Sequence, residues 1–391
     1  MFYCISIGIL LLSITLSWLI IKHTIRFAYK KDFFDKPNFR KIHKKPIPRL
    51  GGFSFYITSV ISFVLTIFFI HFWGGNLLIN ELNREEISAI LWGLVGSSFL
   101  FAFGVTDDLT GIRYRTKFIG QMLSAVILCA SGTWINNLHG LFGVYALSAW
   151  EGYLITFFAV VLVTNAFNFI DGIDGLAASL CLLTLINILI VALLHDQKVI
   201  ALFSIIVIGS VIPFLYFNIF GKPEKHTKTF MGDTGSLFLG FVMCFLGIKI
   251  NNNLLPISHI NPFVLAFSSL IIPCFDVLRV VMIRLYKKRN PFIADKSHIH
   301  HLLLACNLSQ HKTLAAINAI AISFILISYV ISYFYNLNIV LVALFLLWVI
   351  VMMIIYRNYI DKKQKKTIWQ SKNYSLPFLA AHYSQDVKLL K

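Results

Sequence analysis

The chain has 391 residues, of which 58% are hydrophobic and only 13% are charged. A soluble domain averages about 25% charged residues, so the composition excludes an ordinary water-soluble protein and predicts an integral membrane protein. The formal net charge of +17 would point to nucleic acid in a soluble protein. Here the basic residues lie between apolar segments, so membrane orientation is the simpler cause and we expect no nucleic-acid partner.

Eleven apolar segments have the length that a transmembrane helix requires, about 20 residues. The first is followed by its positive charges and lacks a cleavage site, so we expect a retained helix and not a signal peptide. The segments predict an all-α polytopic membrane protein with one membrane domain over 1–357 and a basic cytoplasmic tail over 358–391. The predicted spans are 3–21, 51–73, 87–106, 117–135, 150–167, 175–194, 199–219, 235–250, 262–284, 312–335 and 338–357.

The basic residues are concentrated in alternate connections between the predicted spans. Nearly all of the 34 Lys and Arg residues lie in this set, whereas the opposite set holds only Arg84, Lys198 and Lys249. The positive-inside rule places the basic connections in the cytoplasm, which predicts that the N-terminus is outside.

Four polar segments lie at the ends of spans on the predicted cytoplasmic side: 104–108, 165–175, 230–236 and 294–301. Ionisable groups beside a bilayer are costly, and they are typical of functional sites. We therefore expect the four segments to gather around one cytoplasmic-side cleft.

The first two segments are acidic. The adjacent carboxylates of Asp107 and Asp108 suit a divalent cation or proton abstraction, although helix-end charges facing water would look the same. In the second segment Asn168, Asp171 and Asp174 recur at every third residue, which places them on one helical face. This segment contains no Lys or Arg, so uncompensated carboxylates favour a cation or a donor-rich ligand over an ordinary loop.

The other two segments suit phosphate. The residues 232–236 precede a span, where backbone N–H groups can face an anion, and Asp233 offers a magnesium ligand. Turns of this composition are also common. His298, His300 and His301 indicate contact with an anion, with a zinc site and solvated loop histidines as the alternatives.

The first basic connection, which ends with Pro48-Arg49-Leu50-Gly51-Gly52, anchors the chain by charge and also suits a pocket for phosphates. Together, phosphate-seeking cations, a magnesium ligand and a membrane setting predict a nucleotide-activated substrate with a lipid as its partner.

The combined motifs resemble those of the polyprenyl-phosphate N-acetylhexosamine-1-phosphate transferases, the superfamily that includes phospho-N-acetylmuramoyl-pentapeptide translocase. They are PRLGG at 48–52, DDLTG at 107–111, NAFNFIDGIDGLA at 165–177, FMGDTGSL at 230–237 and ADKSHIHH at 294–301. The PRLGG and HIHH forms are similar to the branch that starts O-antigen, common-antigen or teichoic-acid linkage units. The muramoyl-pentapeptide branch usually has PTMGG instead, so a UDP-N-acetylhexosamine donor is favoured.

The resemblance implies transfer of a sugar 1-phosphate, by expectation N-acetylglucosamine 1-phosphate, from a UDP-sugar to undecaprenyl phosphate, with release of UMP. It implies a multi-pass protein of the bacterial cytoplasmic (inner) membrane. Members of the family often pair as homodimers, but the sequence itself does not indicate whether this chain does. By resemblance, Asn168 and Asp233 hold Mg²⁺, or Mn²⁺ in its place, while Asp107 and Asp108 are catalytic. The implied substrate-binding residues are Lys117, Asp171, Asp174, Arg49, His298, His300 and His301.

Several alternatives stay open at this stage. The donor could carry GalNAc, QuiNAc, FucNAc or MurNAc-pentapeptide, and attack could be direct or pass through a covalent aspartyl-phosphate. A transporter also combines broken helices with carboxylates, although it would place them near mid-membrane. A purely structural membrane protein would have no use for these carboxylates.

Overall fold

A computed structural model describes residues 2–35, 45–73, 82–253, 260–290 and 296–373, with side chains described up to 364. Two parts of the predicted site, the basic stretch 36–44 and Asp295, lie outside these described residues, as does the tail from 374. Most of the described chain is helical, with two short antiparallel hairpins.

The described residues form thirteen α-helices. They are α1 (Phe2–Lys31), α2 (Phe53–Trp73), α3 (Arg84–Thr110), α4 (Tyr114–Ala130), α5 (Ala149–Ile170), α6 (Leu176–Leu194), α7 (Lys198–Leu215), α8 (Gly232–Asn253), α9 (Pro262–Phe267), α10 (Ile271–Tyr286), α11 (Ile299–Ala305), α12 (Gln310–Phe334) and α13 (Leu337–Asn373). In the first hairpin β1 (Phe34–Asp35) pairs with β2 (Ile47–Pro48), and in the second β3 (Asn137–Leu141) pairs with β4 (Val144–Ala146).

Each of the eleven predicted spans contains a helix, and ten helical segments among the described residues are long and apolar enough to cross a membrane. The remaining predicted span, 117–135, corresponds to α4, which has 17 residues. The ninth span is α9 and α10 joined by a short 3₁₀ turn. The prediction of an all-α polytopic membrane protein is thus confirmed, while the orientation of the N-terminus stays a prediction.

Local sequence explains where several helices begin and end. The Asn83 side chain accepts a hydrogen bond from the Glu85 N–H at the start of α3, and the Ser309 side chain caps α12 in the same way. The last helix continues beyond the predicted boundary at 357 to Asn373. No Gly or Pro interrupts residues 358–373, so nothing in the sequence ends the helix where the apolar residues end.

Helix α8 lies at the centre of the bundle and is the most buried of the candidate spans. It packs against α3, α5 and α6, while α1 and α2 pack against α7. The crossing with α5 is close, because a Cβ at Gly240 would lie 2.8 Å from the Cα of Thr164. This crossing sets the positions of the ends of α5 and α8, where two of the polar segments lie.

We expect Gly240→Val to destabilise the protein by about 1–3 kcal/mol, because the added carbons force α5 and α8 apart. Gly8→Val is the matched control, since a Cβ at Gly8 has no neighbouring atom within 4 Å. Thermal unfolding followed by tryptophan fluorescence in one detergent compares the two variants. Equal unfolding midpoints would contradict a close crossing at Gly240.

Candidate active site

The polar segments meet at one end of the helix bundle, where α3 and α5 end and α8 begins. Asp107 and Asp108 lie in the last turn of α3, and Asp233 lies in the first turn of α8. One carboxylate oxygen from each of these three residues lies within 4.8 Å of the other two. We call these three residues the acidic cluster.

Two cations lie beside the acidic cluster. The Lys117 ammonium, from α4, lies 2.8 Å from the Asp107 carboxylate and also forms an ion pair with Asp233. The Arg49 guanidinium lies 4.0 Å from Asp233 and 3.5 Å from Asp35. The cluster therefore combines three carboxylates with two positive charges in a largely buried place, where such charges interact strongly.

The two adjacent aspartates have different partners. Asp108 accepts hydrogen bonds from the backbone N–H groups of Asp233 and Thr234, at 2.9 and 3.0 Å, and from the Thr234 hydroxyl at 2.6 Å. Asp107 instead accepts from the Ile112 N–H at 2.7 Å and pairs with Lys117. The sequence predicts an anion at the backbone N–H groups that begin α8. For two of these N–H groups, those of Asp233 and Thr234, the anion is the carboxylate of Asp108.

A polar cavity of about 440 Å³ adjoins the acidic cluster. Its lining includes six of the predicted site residues: Arg49, Asn168, Asp171, Asp174, Asp233 and His301. Four further polar residues, which the sequence patterns did not single out, also line it: Asp35, Asn218, Lys228 and Gln310.

The amide of Asn168 is oriented by a residue from α8. Its Nδ2 donates to the Ser236 hydroxyl at 2.9 Å, which leaves the amide oxygen as the atom available to a cation. Asn165, one turn earlier, is instead paired with Gln121 through hydrogen bonds of 2.9 and 3.3 Å. The asparagines of this motif thus have different surroundings, and of the two only Asn168 lines the cavity.

The charge of Asp174 is compensated by a residue distant in sequence. The Lys228 ammonium lies 2.6 Å from Asp174 and donates to the Asn218 carbonyl at 2.6 Å. Asn218 lies in a π turn, Tyr216–Phe220, that follows a proline within α7, and its side chain accepts from the Gly175 N–H at 2.6 Å. The expectation of uncompensated carboxylates in this segment is therefore wrong for Asp174.

Asp171, which follows the last residue of α5, has a raised pKa. Burial, together with the neighbouring carboxylates of Asp233 and Asp174, raises the pKa of Asp171 to about 7, although Arg49 opposes the shift. A carboxyl group with this pKa can hold or release a proton near neutral pH.

The three predicted histidines have separate environments. Only His301 lines the cavity. His298 is buried, with Nδ1 2.8 Å from Asp276. His300 packs on Gly172 so closely that a Cβ there would overlap its ring, and neither of its ring nitrogens has a partner among the described residues. Burial lowers the pKa of His300 to about 3, so this imidazole adds no positive charge at neutral pH.

Comparison with known proteins agrees with this architecture. Residues 90–251 match glycosyl transferase family 4. The chain is 32% identical to the "Probable undecaprenyl-phosphate N-acetylglucosaminyl 1-phosphate transferase" of Bacillus subtilis (strain 168), over 76% of this chain and 77% of that protein. It is 28% identical to the undecaprenyl-phosphate alpha-N-acetylglucosaminyl 1-phosphate transferase of Yersinia pestis, over 76% of each chain. It is 30% identical to the decaprenyl-phosphate N-acetylglucosaminephosphotransferase of Mycolicibacterium smegmatis, over 72% of this chain and 71% of that one.

The fold, the acidic cluster and these relatives define a multi-pass membrane enzyme of the sugar-phosphate transferase class. The chain belongs to glycosyl transferase family 4, in its group of polyprenyl-phosphate N-acetylhexosamine-1-phosphate transferases, which confirms the resemblance found in the motifs.

The capping role of Asp108 predicts a difference between the two adjacent aspartates. We expect Asp108→Ala to lower the free energy of unfolding by about 1–2 kcal/mol, because the first turn of α8 loses its acceptor. Asp107→Ala should have a smaller effect, since Lys117 keeps Asp233 as a partner. Thermal unfolding of both variants is the measurement, and a larger loss in Asp107→Ala would contradict the assignment.

The raised pKa of Asp171 predicts a pH-dependent loss of stability. Between the ordinary value of 3.8 and about 7 the folded protein holds a proton that the unfolded chain releases, so this contribution is lost as the pH rises. Asp171→Asn removes the effect, and its stability relative to wild type should rise over this range by up to about 1.4 kcal/mol per pH unit. Unfolding is measured in buffer free of divalent cations, and a pH-independent difference would contradict the shift.

Proposed function

We propose that the protein transfers N-acetylglucosamine 1-phosphate from UDP-N-acetylglucosamine to undecaprenyl phosphate, giving undecaprenyl-diphospho-N-acetylglucosamine and UMP. Such a product starts the synthesis of a cell-envelope glycan. The observation that carries the proposal is the acidic cluster, held with Lys117 and Arg49 beside a polar cavity. The names of the relatives support the sugar and a polyprenyl phosphate acceptor.

The charges of the site suit two phosphorylated substrates. A lipid phosphate and a UDP-sugar bring several negative charges together, and phosphoryl transfer is catalysed mainly by alignment and neutralisation of such charges. Arg49 and Lys228 line the cavity and Lys117 lies beside it, which supports the proposal that these cations contact the phosphates. His301 and Asp174 also line the cavity, whereas His298 and His300 do not.

The donor atoms of the site fit a hard divalent cation. Asp233 and Asn168 would hold Mg²⁺, or Mn²⁺ in its place, with Asp107 and Asp108 close by, since carboxylate and amide oxygens are the ligands such ions prefer. When bound, the ion neutralises the diphosphate of the donor. Lys117 now bridges two of these carboxylates, so metal binding would compete with its ammonium for Asp233.

The different partners of the two aspartates suggest different roles. Asp108 is engaged by three hydrogen bonds from α8, so it positions Asp233. Asp107 has one backbone donor and the Lys117 ammonium as partners, so it is the better candidate to accept a proton from the acceptor phosphate or to support its attack. Asp171, with its raised pKa, is proposed to order the donor beside the metal site.

The site is proposed to face the cytoplasm from the inner membrane. The concentration of Lys and Arg in the connections at this end of the bundle supports this orientation.

Purified protein with Mg²⁺ and undecaprenyl phosphate should release UMP from UDP-N-acetylglucosamine, and a chelator should stop the reaction. We expect Asp233→Asn and Asp107→Asn to reduce turnover by at least about 100-fold, because the first weakens the proposed metal ligand and the second removes the proposed proton acceptor. Glu224→Gln is the control, since its exposed pair with Lys45 lies outside the cavity lining.

A panel of UDP-N-acetylhexosamines in the same assay identifies the sugar. If no donor yields UMP, the proposed transfer is wrong. Uptake of a UDP-sugar into proteoliposomes without any product would instead favour a transporter.

A further inference from the structure

Helix α10 carries a buried ion pair within a predicted membrane span. Asp276 is fully buried, Arg279 is one turn later, and an Nη2–Oδ1 distance of 2.6 Å joins them. Neither residue lines the cavity. Buried charges at membrane depth are costly even when they are paired, so the pair needs an explanation other than the stability of α10.

The pair holds three consecutive residues that lead into α11. Arg279 donates to the Ser297 carbonyl at 2.6 Å, while Asp276 binds His298 Nδ1 at 2.8 Å and accepts from the Ile299 N–H at 3.1 Å. Helix α11 has only seven residues, too few to be stable alone. Its position is therefore fixed from outside, and these contacts fix its first turn.

This short helix carries two imidazoles to the edge of the site. His301 lines the cavity, and His300 packs on Gly172, next to Asp171. The two rings are in contact, with centroids 4.1 Å apart. A shift of the first turn of α11 would move both rings relative to the cavity.

A residue of the last helix completes the arrangement. Arg279 donates through Nη1 to the Tyr356 hydroxyl of α13 at 2.8 Å, so the guanidinium is held on two sides. Its fork can reach Asp276, Ser297 and Tyr356 together because the guanidinium presents several donors in one plane.

We infer that Asp276 and Arg279 are positioning residues for the reaction, which hold α11 so that His301 is correctly placed in the substrate cavity. This inference rests on the proposed function. Neither residue touches the cavity, so their effect passes through the histidines and not through direct contact with a substrate.

A double-mutant cycle between Asp276→Asn and His301→Ala tests this route. Asparagine keeps the shape of Asp276 but removes the negative charge that pairs with Arg279. We expect each single variant to lower kcat/KM for the UDP-sugar by about 100-fold, since misplacement by about 1 Å has this effect. The double variant should be no worse than His301→Ala alone, within about 3-fold, because Asp276 acts through His301.

Hydrogen exchange of the backbone amides in 297–305 supplies a readout that needs no turnover. Asp276→Asn should speed exchange there at least about tenfold, because local opening no longer breaks the contacts to α10. Glu86→Gln is the matched control. Glu86 is also a buried carboxylate, but it lies in the first turn of α3, at the other end of this helix from the acidic cluster. It should leave exchange in 297–305 unchanged.

Arg279→Lys provides a second route if Asp276→Asn does not fold. It keeps the positive charge but loses the fork that reaches Ser297 and Tyr356, so we expect a loss of about tenfold that is again absent from the His301→Ala background. The inference is overturned if the kcat/KM losses of the single variants multiply in the double variant. It is also overturned if hydrogen exchange of the amides in 297–305 is unchanged. Faster exchange in a protein whose wild type releases no UMP would reject the proposed function and retain the positioning role.

Discussion

The site depends on the hydrogen bonds between the carboxylate of Asp108 and the first amides of α8. Three bonds join the end of α3 to the start of the most buried helix. A helix N-terminus carries unsatisfied N–H groups and a partial positive charge, so a carboxylate satisfies both there. This contact places Asp233 beside Asp107, so that the Lys117 ammonium pairs with both carboxylates.

Compensation of charge is the second constraint. A largely buried group of carboxylates is stable only if cations or donors accompany it. The fold takes these partners from different parts of the chain: Arg49 follows the first hairpin, Lys117 starts α4, and Lys228 precedes α8. Where compensation is incomplete, as at Asp171, the carboxyl is protonated more easily instead. The result is a cavity with both signs of charge, which suits phosphate and metal together.

Much of this arrangement could be predicted from the sequence, because it is local. Apolar length located the spans, and motif spacing located Asp107, Asn168, Asp171 and Asp233. The partners could not be predicted in the same way. Lys228 is 54 residues from Asp174, and Asp276 is 22 residues from His298. Asp276 lies in an apolar run, where a single carboxylate gives no indication of which side chain it binds.

The histidine motif is the clearest case in which sequence pattern alone could not predict the roles of the side chains. The pattern places three imidazoles close together and suggests one shared role. The rings do lie close together, but each has a different surrounding: His301 lines the cavity, His298 binds Asp276 and His300 is buried without charge. The direction of a side chain depends on where its helix begins, and the first turn of α11 is set by contacts that only the tertiary structure supplies.

The hydrogen bond from Arg279 to Tyr356 has a consequence for the shortest chain that retains activity. The family match ends at residue 251, and α13 lies at the edge of the bundle, with few buried residues. Even so, the hydroxyl of Tyr356 is an acceptor for a guanidinium in the protein interior. A chain that stopped after α12 would leave that guanidinium with one acceptor fewer. If Arg279 has the positioning role proposed above, the minimal catalytic unit extends at least to Tyr356, although none of the described side chains of α13 lines the cavity.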